Sequence, residues 1–324
     1  MNNNTNRHVI LALFNNIADE NAFRPLLEGF PKLLSLSPPP DKNHFTGIMA
    51  SAHMNPSLVI LSSRFYHESR PELVAELRKQ YPGADILLIT LATDSLPPLQ
   101  QVAKDRIRHL LVTPSDDEPE GISSQRTAIN KLLVRSPWEL RDYVRPGCLV
   151  HEYPLNSSRQ KEALIAAVED VIGGDSIDME LLRQRASLLA DEMVENALYG
   201  APQDHDGKKL YHKGEERSIA VDENIVFRFA FDGETLAMEI ADGWGTLSPE
   251  MVVDFLSRNQ EGMPMEEGEA GGRGLFIIWR FLDHLHVDIR PGQKTILGGH
   301  LKAASTLDFE SPSGFSISTN YTSQ

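Results

Sequence analysis

The sequence is poor in cysteine and in positive charge. Its single cysteine, Cys148, excludes a disulfide framework and is typical of a reducing compartment. Its 31 lysines and arginines are outnumbered by 46 acidic residues, a net charge of −15 that argues against the basic face of a nucleic-acid-binding protein. No apolar run approaches the roughly 20 residues of a membrane helix, and the first residues lack the apolar segment of a secretory signal. We therefore expect a soluble, acidic, cytoplasmic protein with no direct nucleic-acid or membrane partner.

The length and the distribution of turn-forming residues predict two domains. At roughly 150 residues per domain, 324 residues suffice for about two, and a hydrophobic content of 41% can fill their cores. Prolines and a glycine between Ser136 and Gly147 separate two halves of different pattern. We predict a first domain over 1–135, a linker over 136–147, a second domain over 148–304 and a mobile tail, rich in Ser and Thr, over 305–324.

The first half alternates short, continuously apolar segments with helical ones. The predicted strands are 8–14, 57–63, 84–91 and 107–113, and the predicted helices are 22–34, a segment from Pro71, and a segment from Ser123-Ser124 to about Val134. Continuously apolar strands are buried on both faces, so this order predicts a parallel sheet covered by helices, a doubly wound α/β domain.

The second half has longer helices and alternating strands. The predicted elements are a strand at 148–155, helices at 157–171 and 179–199, a polar loop at 201–220, strands at 224–232 and 235–242, a helix at 274–285, and strands ending near 289 and 303. Gly233-Glu234 joins the two alternating strands, which predicts an antiparallel hairpin with one buried face. Gly298-Gly299 interrupts the last predicted strand.

A pair of polar residues on the long helix could contact a ligand. Glu192 and Asn196 are four residues apart and therefore share one face of the helix. The neighbouring apolar stripe consists of Leu182, Ala186, Leu189, Met193 and Ala197. The pair thus lies at the edge of the buried face, where a ligand could reach it, although ordinary surface polarity is the alternative explanation.

Two glycine-rich segments follow in the second half. In Asp242-Gly243-Trp244-Gly245, glycines after a strand would let the backbone approach a flat ligand, while the carboxylate accepts a hydrogen bond from an amine. In Gly271-Gly272-Arg273-Gly274, glycines open a helix, where free N–H groups and the helix dipole favour phosphate. A strand-ending turn and a simple helix start are the alternatives for each segment taken alone.

Taken in order, the three segments resemble the nucleotide-binding motifs of the GHKL ATPase fold, which gyrase-type ATPases and histidine kinases share. The matching residues are Glu192 and Asn196 of E-x-x-x-N, Asp242, Gly243 and Gly245 of D-x-G-x-G, and Gly272, Gly274 and Leu275 of G-x-G-[LF]. Within that fold, residues 147–303 are most similar to the anti-sigma-factor serine/threonine kinases of bacterial partner-switching systems. The resemblance implies a two-layer α/β sandwich with a mixed, mainly antiparallel sheet.

The resemblance also implies a role for each residue. Glu192 would be the general base on an attacking hydroxyl, and Asn196 would hold Mg²⁺ between the phosphates of ATP. Asp242 would accept from the adenine amine, and Thr295 would hold adenine through a water. The further ATP contacts would be Gly243, Gly245, Gly272, Arg273 and Gly274. Residues 246–271 would be a lid, with Met263-Pro264 and the acidic Glu266, Glu267 and Glu269. No P-loop motif is present, which excludes a Walker-type ATPase.

The implied function is that of an ATP- and Mg²⁺-dependent protein serine/threonine kinase of the anti-sigma type. It would transfer the γ-phosphate to a small antagonist protein, and its partner would be that antagonist, a sigma factor or both. One alternative is a non-catalytic ATP-binding module that exchanges protein partners. A second is a histidine kinase-related protein phosphorylated on His67, although no pair of long helices precedes the ATP-binding half. Relatives of both halves commonly form homodimers, so the resemblance allows a homodimer.

The first half resembles a response-regulator receiver, a flavodoxin-like doubly wound domain. A working receiver needs acidic residues after its first and third strands and a lysine after its last, but these places hold Asn15-Asn16, Ser62-Ser63 and Thr113-Pro114. Asp19 and Glu20 lie further along the chain. We predict a pseudo-receiver that is not phosphorylated and serves dimerisation or partner docking, with an unrelated α/β domain as the alternative.

Overall fold

The protein consists of two compact units that divide between Pro137 and Trp138. The computed structural model describes residues 8–37, 55–68, 72–113, 119–260, 272–303 and 313–319. Both units combine helices with a sheet, so the chain is of the mixed α/β class. Within these ranges, no helix has the length and apolar character that crossing a membrane requires.

The first unit contains a parallel sheet. Its strands are β1 (Ile10–Leu13), β2 (Leu33–Leu36), β3 (Leu58–Ser62), β4 (Asp85–Leu91) and β5 (His109–Thr113), and its helices are α1 (Ile17–Leu27), α2 (Ser63–Glu68), α3 (Leu73–Gln80), α4 (Leu99–Lys104) and α5 (Pro119–Val134). The strands pair in the order β2-β1-β3-β4-β5, all parallel. This is the order of flavodoxin-like doubly wound sheets, so the predicted parallel sheet is confirmed.

One predicted helix of the first unit is wrong in its second half. The sequence predicts a helix over 22–34, but α1 ends at Leu27 and the chain turns at Gly29, whose φ of 88° is left-handed. Leu33–Leu36 then pairs with β1 as an edge strand. Leucines at helical spacing misled the prediction, because pairing with a neighbouring strand overrides local periodicity.

The second unit contains a mixed sheet under a layer of helices. Its strands are β6 (His151–Pro154), β7 (Val226–Phe231), β8 (Thr235–Asp242), β9 (His284–Arg290), β10 (Lys294–Lys302) and β11 (Gly314–Thr319), and its helices are α6 (Lys161–Val171), α7 (Ile177–Glu195), α8 (Pro249–Gln260) and α9 (Gly272–Phe281). The strand order is β11-β9-β10-β8-β7-β6. Among the described strand pairs within this unit only β9–β11 is parallel, so the expectation of a mixed, mainly antiparallel sheet is confirmed.

Helix α7 is the centre of the helix layer. The Ser176 side chain caps its start by accepting from the Met179 N–H at 3.3 Å. The helix packs against α6, α9 and β8. Its predicted apolar stripe is fully buried, with Leu182, Ala186, Leu189, Met193 and Ala197 each at most 3% exposed. After Glu195 the helix widens into one π-helical turn, Asn196–Gly200, a local feature that is frequent at functional sites.

The predicted linker is in part a cover for the sheet. Ala237 and Glu239 alternate with Ile240 and Asp242 along β8, yet every residue of this strand is buried. Residues 138–144 pack on the Ala237 side, where Leu140 and Val144 share a buried cluster with Ala237. The expectation of one buried face is therefore wrong for this hairpin, and 138–147 belong to the second unit.

Aromatic and histidine rings fix this covering segment to the sheet. The Tyr143 ring stacks on the His300 ring at 4.6 Å between centroids and on the Trp138 ring at 5.3 Å. Its hydroxyl shares a hydrogen bond with His286 Nδ1 at 2.9 Å. Burial raises the pKa of the Tyr143 hydroxyl and lowers that of the His300 imidazole, so both rings are neutral at pH 7.

Two expectations about the end of the chain need correction. Gly314–Thr319, expected in a mobile tail, form β11, which pairs with β9 and buries Phe315 and Ile317. Gly298 and Gly299 do not interrupt β10, which runs through both of them. Glycine is required at Gly299 because a Cβ there would clash with the His284 carbonyl oxygen. The glycines therefore permit close strand packing. Residues 305–312 and 320–324 of the expected tail lie outside the described residues.

Candidate functional site

A cavity of about 130 Å³ lies in the second unit, where helices α7, α8 and α9 meet strands β8 and β10. Its walls are mostly apolar, and its lining residues are Met193, Asn196, Ala197, Gly200, Ala201, Gln203, Lys209, Ile240, Asp242, Thr246, Leu247, Met251, Phe255, Leu275, Thr295 and Leu297. The volume is below the roughly 300–1,000 Å³ of pockets that enclose whole small-molecule ligands. As lined by the described residues, the cavity therefore has room for a part of such a ligand.

Two polar groups meet in one wall of this cavity. Asp242 on β8 lies directly opposite Thr295 on β10 in the antiparallel register. The Asp242 side chain is buried, and its Oδ1 accepts from the Trp244 N–H at 2.9 Å. The Thr295 Oγ1 is buried and has no hydrogen-bond partner among the described residues. A ligand or a water that satisfies this hydroxyl would stand next to the carboxylate.

Burial controls the protonation of this carboxyl. It raises the pKa of Asp242 from about 3.8 to about 6, while hydrogen bonds from the Trp244, Gly245 and Thr295 backbone partly oppose the shift. The group is therefore mainly ionised at pH 7 and can accept from a donor such as an exocyclic amine.

The glycines after Asp242 are required by close contacts with protein backbone. A Cβ at Gly243 would lie 2.4 Å from the Asp222 carbonyl oxygen, and one at Gly245 would lie 2.3 Å from the Arg290 carbonyl oxygen. Gly245 also has a left-handed φ of 59°. Neither glycine lines the cavity, so the space that each leaves is filled by protein backbone. Their direct contact with a cofactor stays a prediction.

The first and third motifs meet at another edge of the cavity. A Cβ at Gly274 would lie 2.7 Å from Glu192 Oε2 and 3.1 Å from Asn196 Nδ2. Gly274 lies about eighty residues after Glu192 and Asn196 in the sequence, and it comes close to them because α9 packs against α7. Glu192 and Asn196 are both partly exposed, and neither forms an ion pair within the described part of the chain. The acid and the amide thus face the glycine-rich start of a helix.

The rest of the third motif and the predicted lid are described in part. Gly272 begins α9, and the Arg273 side chain is exposed and does not line the cavity. Residues 246–260 of the predicted lid contain α8, whose Met251 and Phe255, one turn apart, form an apolar wall of the cavity. The chain 261–271, with Gly271, Met263-Pro264 and the three lid glutamates, lies outside the described residues.

The donor set fits a cation that is shared with phosphates better than one held by protein alone. Within the described ranges, no group of three or more His, Cys, Asp or Glu side chains could hold a metal ion. The Asn196 amide oxygen is a suitable ligand for Mg²⁺, which keeps waters and takes phosphate oxygens as its other ligands. Mg²⁺ at this edge would therefore depend on a phosphate-bearing ligand.

Sequence reasoning missed several lining residues. Met251 and Phe255 could have been found, because their spacing of four places both on one face of a helix. Gln203 and Lys209 lie in the stretch that was predicted only as a polar loop, and no local pattern marks them. Their place at the cavity follows from tertiary structure alone.

The receiver-like positions of the first unit hold a hydrogen-bonded polar cluster. Asn16 caps α1, with its Oδ1 accepting from the Asp19 N–H at 2.9 Å. Asp19, expected to lie too far along the chain, is fully buried, and its Oδ2 accepts from the Ser62 hydroxyl and from the Asn15 N–H. Ser63 donates to Thr90 Oγ1 at 2.9 Å. Pro114 lies outside the described residues, and His67 is exposed on α2.

Comparison with known proteins adds no assignment. No protein-family model matches the sequence, and no curated protein matches it with statistical significance.

Proposed function

We propose that the second unit is a GHKL-type ATP-binding domain and that the protein is an ATP- and Mg²⁺-dependent serine/threonine kinase of the anti-sigma type. In this proposal the γ-phosphate goes to a hydroxyl of a small antagonist protein. The observation that carries the proposal is the convergence of three sequence-distant motifs on one cavity. Asp242 lies in its wall, and Glu192 and Asn196 face Gly274 at its edge.

The proposed binding of adenine is supported by two polar groups in an apolar wall of the cavity, a hydroxyl without a described partner and a buried carboxylate. The Thr295 Oγ1 without a described partner and the Asp242 carboxylate next to it match the two polar edges of a purine. Ile240, Leu297 and Met251 supply apolar contact for its faces. The carboxylate, ionised at pH 7, would accept from the exocyclic amine, and the hydroxyl would bind adenine through a water.

The proposed phosphate transfer is supported by an acid, Glu192, that forms no ion pair within the described residues. Bound ATP with Mg²⁺ would supply the transferable phosphate. Asn196 would contribute its amide oxygen to the cation, and the backbone at Gly272 and Gly274 would approach phosphate oxygens at the start of α9. Glu192, unpaired within the described ranges, would take the proton of the attacking hydroxyl. A carboxylate held in an ion pair could not do this as readily.

Transfer is tested with the purified full chain, γ-labelled ATP, Mg²⁺ and the small antagonist protein encoded nearest to it. The proposal predicts an acid-stable label on the antagonist that is lost in Glu192→Gln, while this variant still binds ATP. Asp191→Asn, one residue away on α7, is the control, because Asp191 pairs with Lys161 at 2.7 Å and does not line the cavity.

Other outcomes point to the alternatives. Binding without transfer to any antagonist would indicate a non-catalytic module that exchanges partners, a sigma factor among them. An acid-labile label on His67 would indicate a histidine kinase-related protein. Full transfer by Glu192→Gln would contradict the role of Glu192.

For the first unit we propose a pseudo-receiver that docks a partner or forms a homodimer. The support is the 2-1-3-4-5 strand order together with the side chains at the strand ends. Ser62 and Ser63 donate to Asp19 and Thr90 where a receiver would carry its phosphoacceptor aspartate. Acetyl phosphate should therefore leave the chain unlabelled, and stable labelling of the first unit would contradict the proposal.

A further inference from the structure

The chain that follows α7 forms a compact hairpin over residues 203–209, here called the 203–209 hairpin. Gln203 and Lys209 pair as an antiparallel bridge. Asp204 Oδ1 accepts from the Asp206 N–H at 3.0 Å and from the Lys208 N–H at 2.9 Å. Gly207, with a φ of 77°, provides the left-handed residue that the turn requires. These bonds define an ordered turn in a region that the sequence presents only as polar.

The chain on both sides of the hairpin is anchored to the second unit. Tyr199 donates its hydroxyl to the Glu215 carbonyl oxygen at 2.6 Å. Arg217 and Glu223 form an ion pair in which each side chain is only 5% exposed. The guanidinium of Arg217 also lies 3.8 Å from the centre of the Tyr211 ring. The hairpin is therefore held in a defined place beside the cavity.

A short series of contacts links the hairpin to Asn196. A Cβ at Gly200 would lie 3.5 Å from Asn196 Oδ1. The Gln203 side chain donates to the Gly200 carbonyl oxygen at 3.0 Å, and Gln203 pairs with Lys209. Because Asn196 in turn faces Gly274, these contacts connect the backbone at Lys209 to the end of the cavity where the proposed function places the phosphates.

Lys209 is chemically suited to bind a phosphate. Among the described residues that line the cavity it is the one with a positive charge, and Asp242 is the one with a negative charge. Lys209 forms no ion pair with any described residue, although acidic residues outnumber basic ones by 46 to 31. By contrast, Lys161 and Lys213 of the same unit are both paired with Glu195. An anionic ligand would therefore meet a cation that has no competing ion-pair partner among the described residues.

We propose that the 203–209 hairpin is part of the ligand site and that the Lys209 ammonium binds the phosphate oxygens of the nucleotide. The inference rests on the proposed function of the second unit. It adds a cationic contact from outside the three motifs and makes the site selective for a phosphorylated nucleoside over the free nucleoside. An ammonium on a flexible side chain acts as a point charge and can follow the phosphates as they move.

The test compares Mg²⁺-ATP and adenosine by calorimetry on the full chain and on three variants. Lys209→Ala is expected to weaken Mg²⁺-ATP binding about tenfold, the size of a lost charge-assisted contact, and to leave adenosine binding unchanged. Lys209→Arg should keep most of the affinity. Lys208→Ala is the matched control, since Lys208 is exposed and does not line the cavity. This variant should bind both ligands as the wild type does.

The outcomes separate this inference from the proposed function. If wild type binds Mg²⁺-ATP and Lys209→Ala binds it equally well, the inference is wrong and the proposed function stands. If Lys209→Ala loses ATP and adenosine to the same extent, Lys209 acts on the cavity and not on phosphate, which also overturns the inference. If wild type binds neither ligand, both the inference and the proposed function fail.

Discussion

Asp242 and Thr295 lie directly opposite each other on β8 and β10, and both place buried polar atoms in one wall of a mostly apolar cavity. A buried carboxylate raises the free energy of the folded protein, and a buried hydroxyl without a partner does so as well. A pair of such groups in one wall is therefore costly to stability. The proposed binding of a purine would explain the arrangement, because the base or its bound water would contact both groups.

Replacing Asp242 by asparagine should stabilise the fold while removing nucleotide binding. Asparagine keeps an oxygen to accept from the Trp244 N–H but carries no charge to bury. From the pKa of about 6 for a group that is only 6% exposed, we expect a gain of about 1–3 kcal/mol in the free energy of unfolding at pH 7.5. Urea unfolding of the wild type and of Asp242→Asn measures this difference in the free energy of unfolding.

The gain in stability from Asp242→Asn should depend on pH. The folded-state pKa of Asp242 is raised above its unfolded value, so the folded protein binds the extra proton between about pH 6 and pH 4. Wild type therefore recovers stability as the pH falls through this window, and the advantage of Asp242→Asn should vanish near pH 4. An advantage that is constant with pH would mean that charge burial is not its cause.

Binding of the base should fall in acid, because protonation of Asp242 removes the charge that strengthens its hydrogen bond from an amine and turns one acceptor oxygen into a donor. With a pKa of about 6, the ionised fraction falls about tenfold between pH 7 and pH 5, and the affinity should fall equally. Adenosine is the ligand of choice, since it has no phosphate to titrate. A flat affinity over this range, measured by calorimetry, would exclude Asp242 as the acceptor.

Gly274→Ala should separate folding from ligand chemistry. The added Cβ would come within 2.7 Å of Glu192 Oε2, the end of a flexible side chain that can move aside, and alanine favours the helix. We expect thermal stability to be kept while Mg²⁺-ATP affinity or phosphate transfer falls at least about tenfold, because Glu192 and Asn196 are displaced. In the control Gly173→Ala the Cβ meets no atom within 4 Å. Unchanged function in Gly274→Ala would contradict the assigned geometry.

The last described strand should be essential for stability. Phe315 on β11 is fully buried, so Phe315→Ala should cost about 3–5 kcal/mol in urea unfolding. Ser318→Ala on the same strand, where the side chain is partly exposed, should change stability by less than about 0.5 kcal/mol. Equal, small effects of the two substitutions would show that the strand does not dock in solution.

Local patterns predicted the parts of the fold that depend on local sequence. The buried stripe of α7, the parallel strands of the first unit and the antiparallel β7–β8 hairpin follow from periodicity and from turn residues. The resemblance to the GHKL motifs, not the spacing itself, implied that Asn196 and Gly274 both lie near the phosphates of one ligand, and the two residues are neighbours in the structure.

Features that depend on distant partners could not be predicted in this way. The Tyr143 hydroxyl meets His286, 143 residues further along the chain, and nothing in residues 136–147 indicates this contact. Gly298-Gly299 looked like an interruption because the nearby His284 carbonyl is visible only in the folded sheet. Lys209 reaches the cavity through the fold of its hairpin, and its neighbours in sequence give no sign of that position.

The most direct test of the account is a calorimetric titration of the full chain with ATP, in the presence and absence of Mg²⁺, for wild type, Asn196→Ala and Asp242→Asn. The account predicts Mg²⁺-dependent binding by wild type and its loss in both variants, with Asp242→Asn folded and more stable. Absence of binding by wild type, or binding that both variants retain in full, would contradict the assignment of this cavity to a nucleotide.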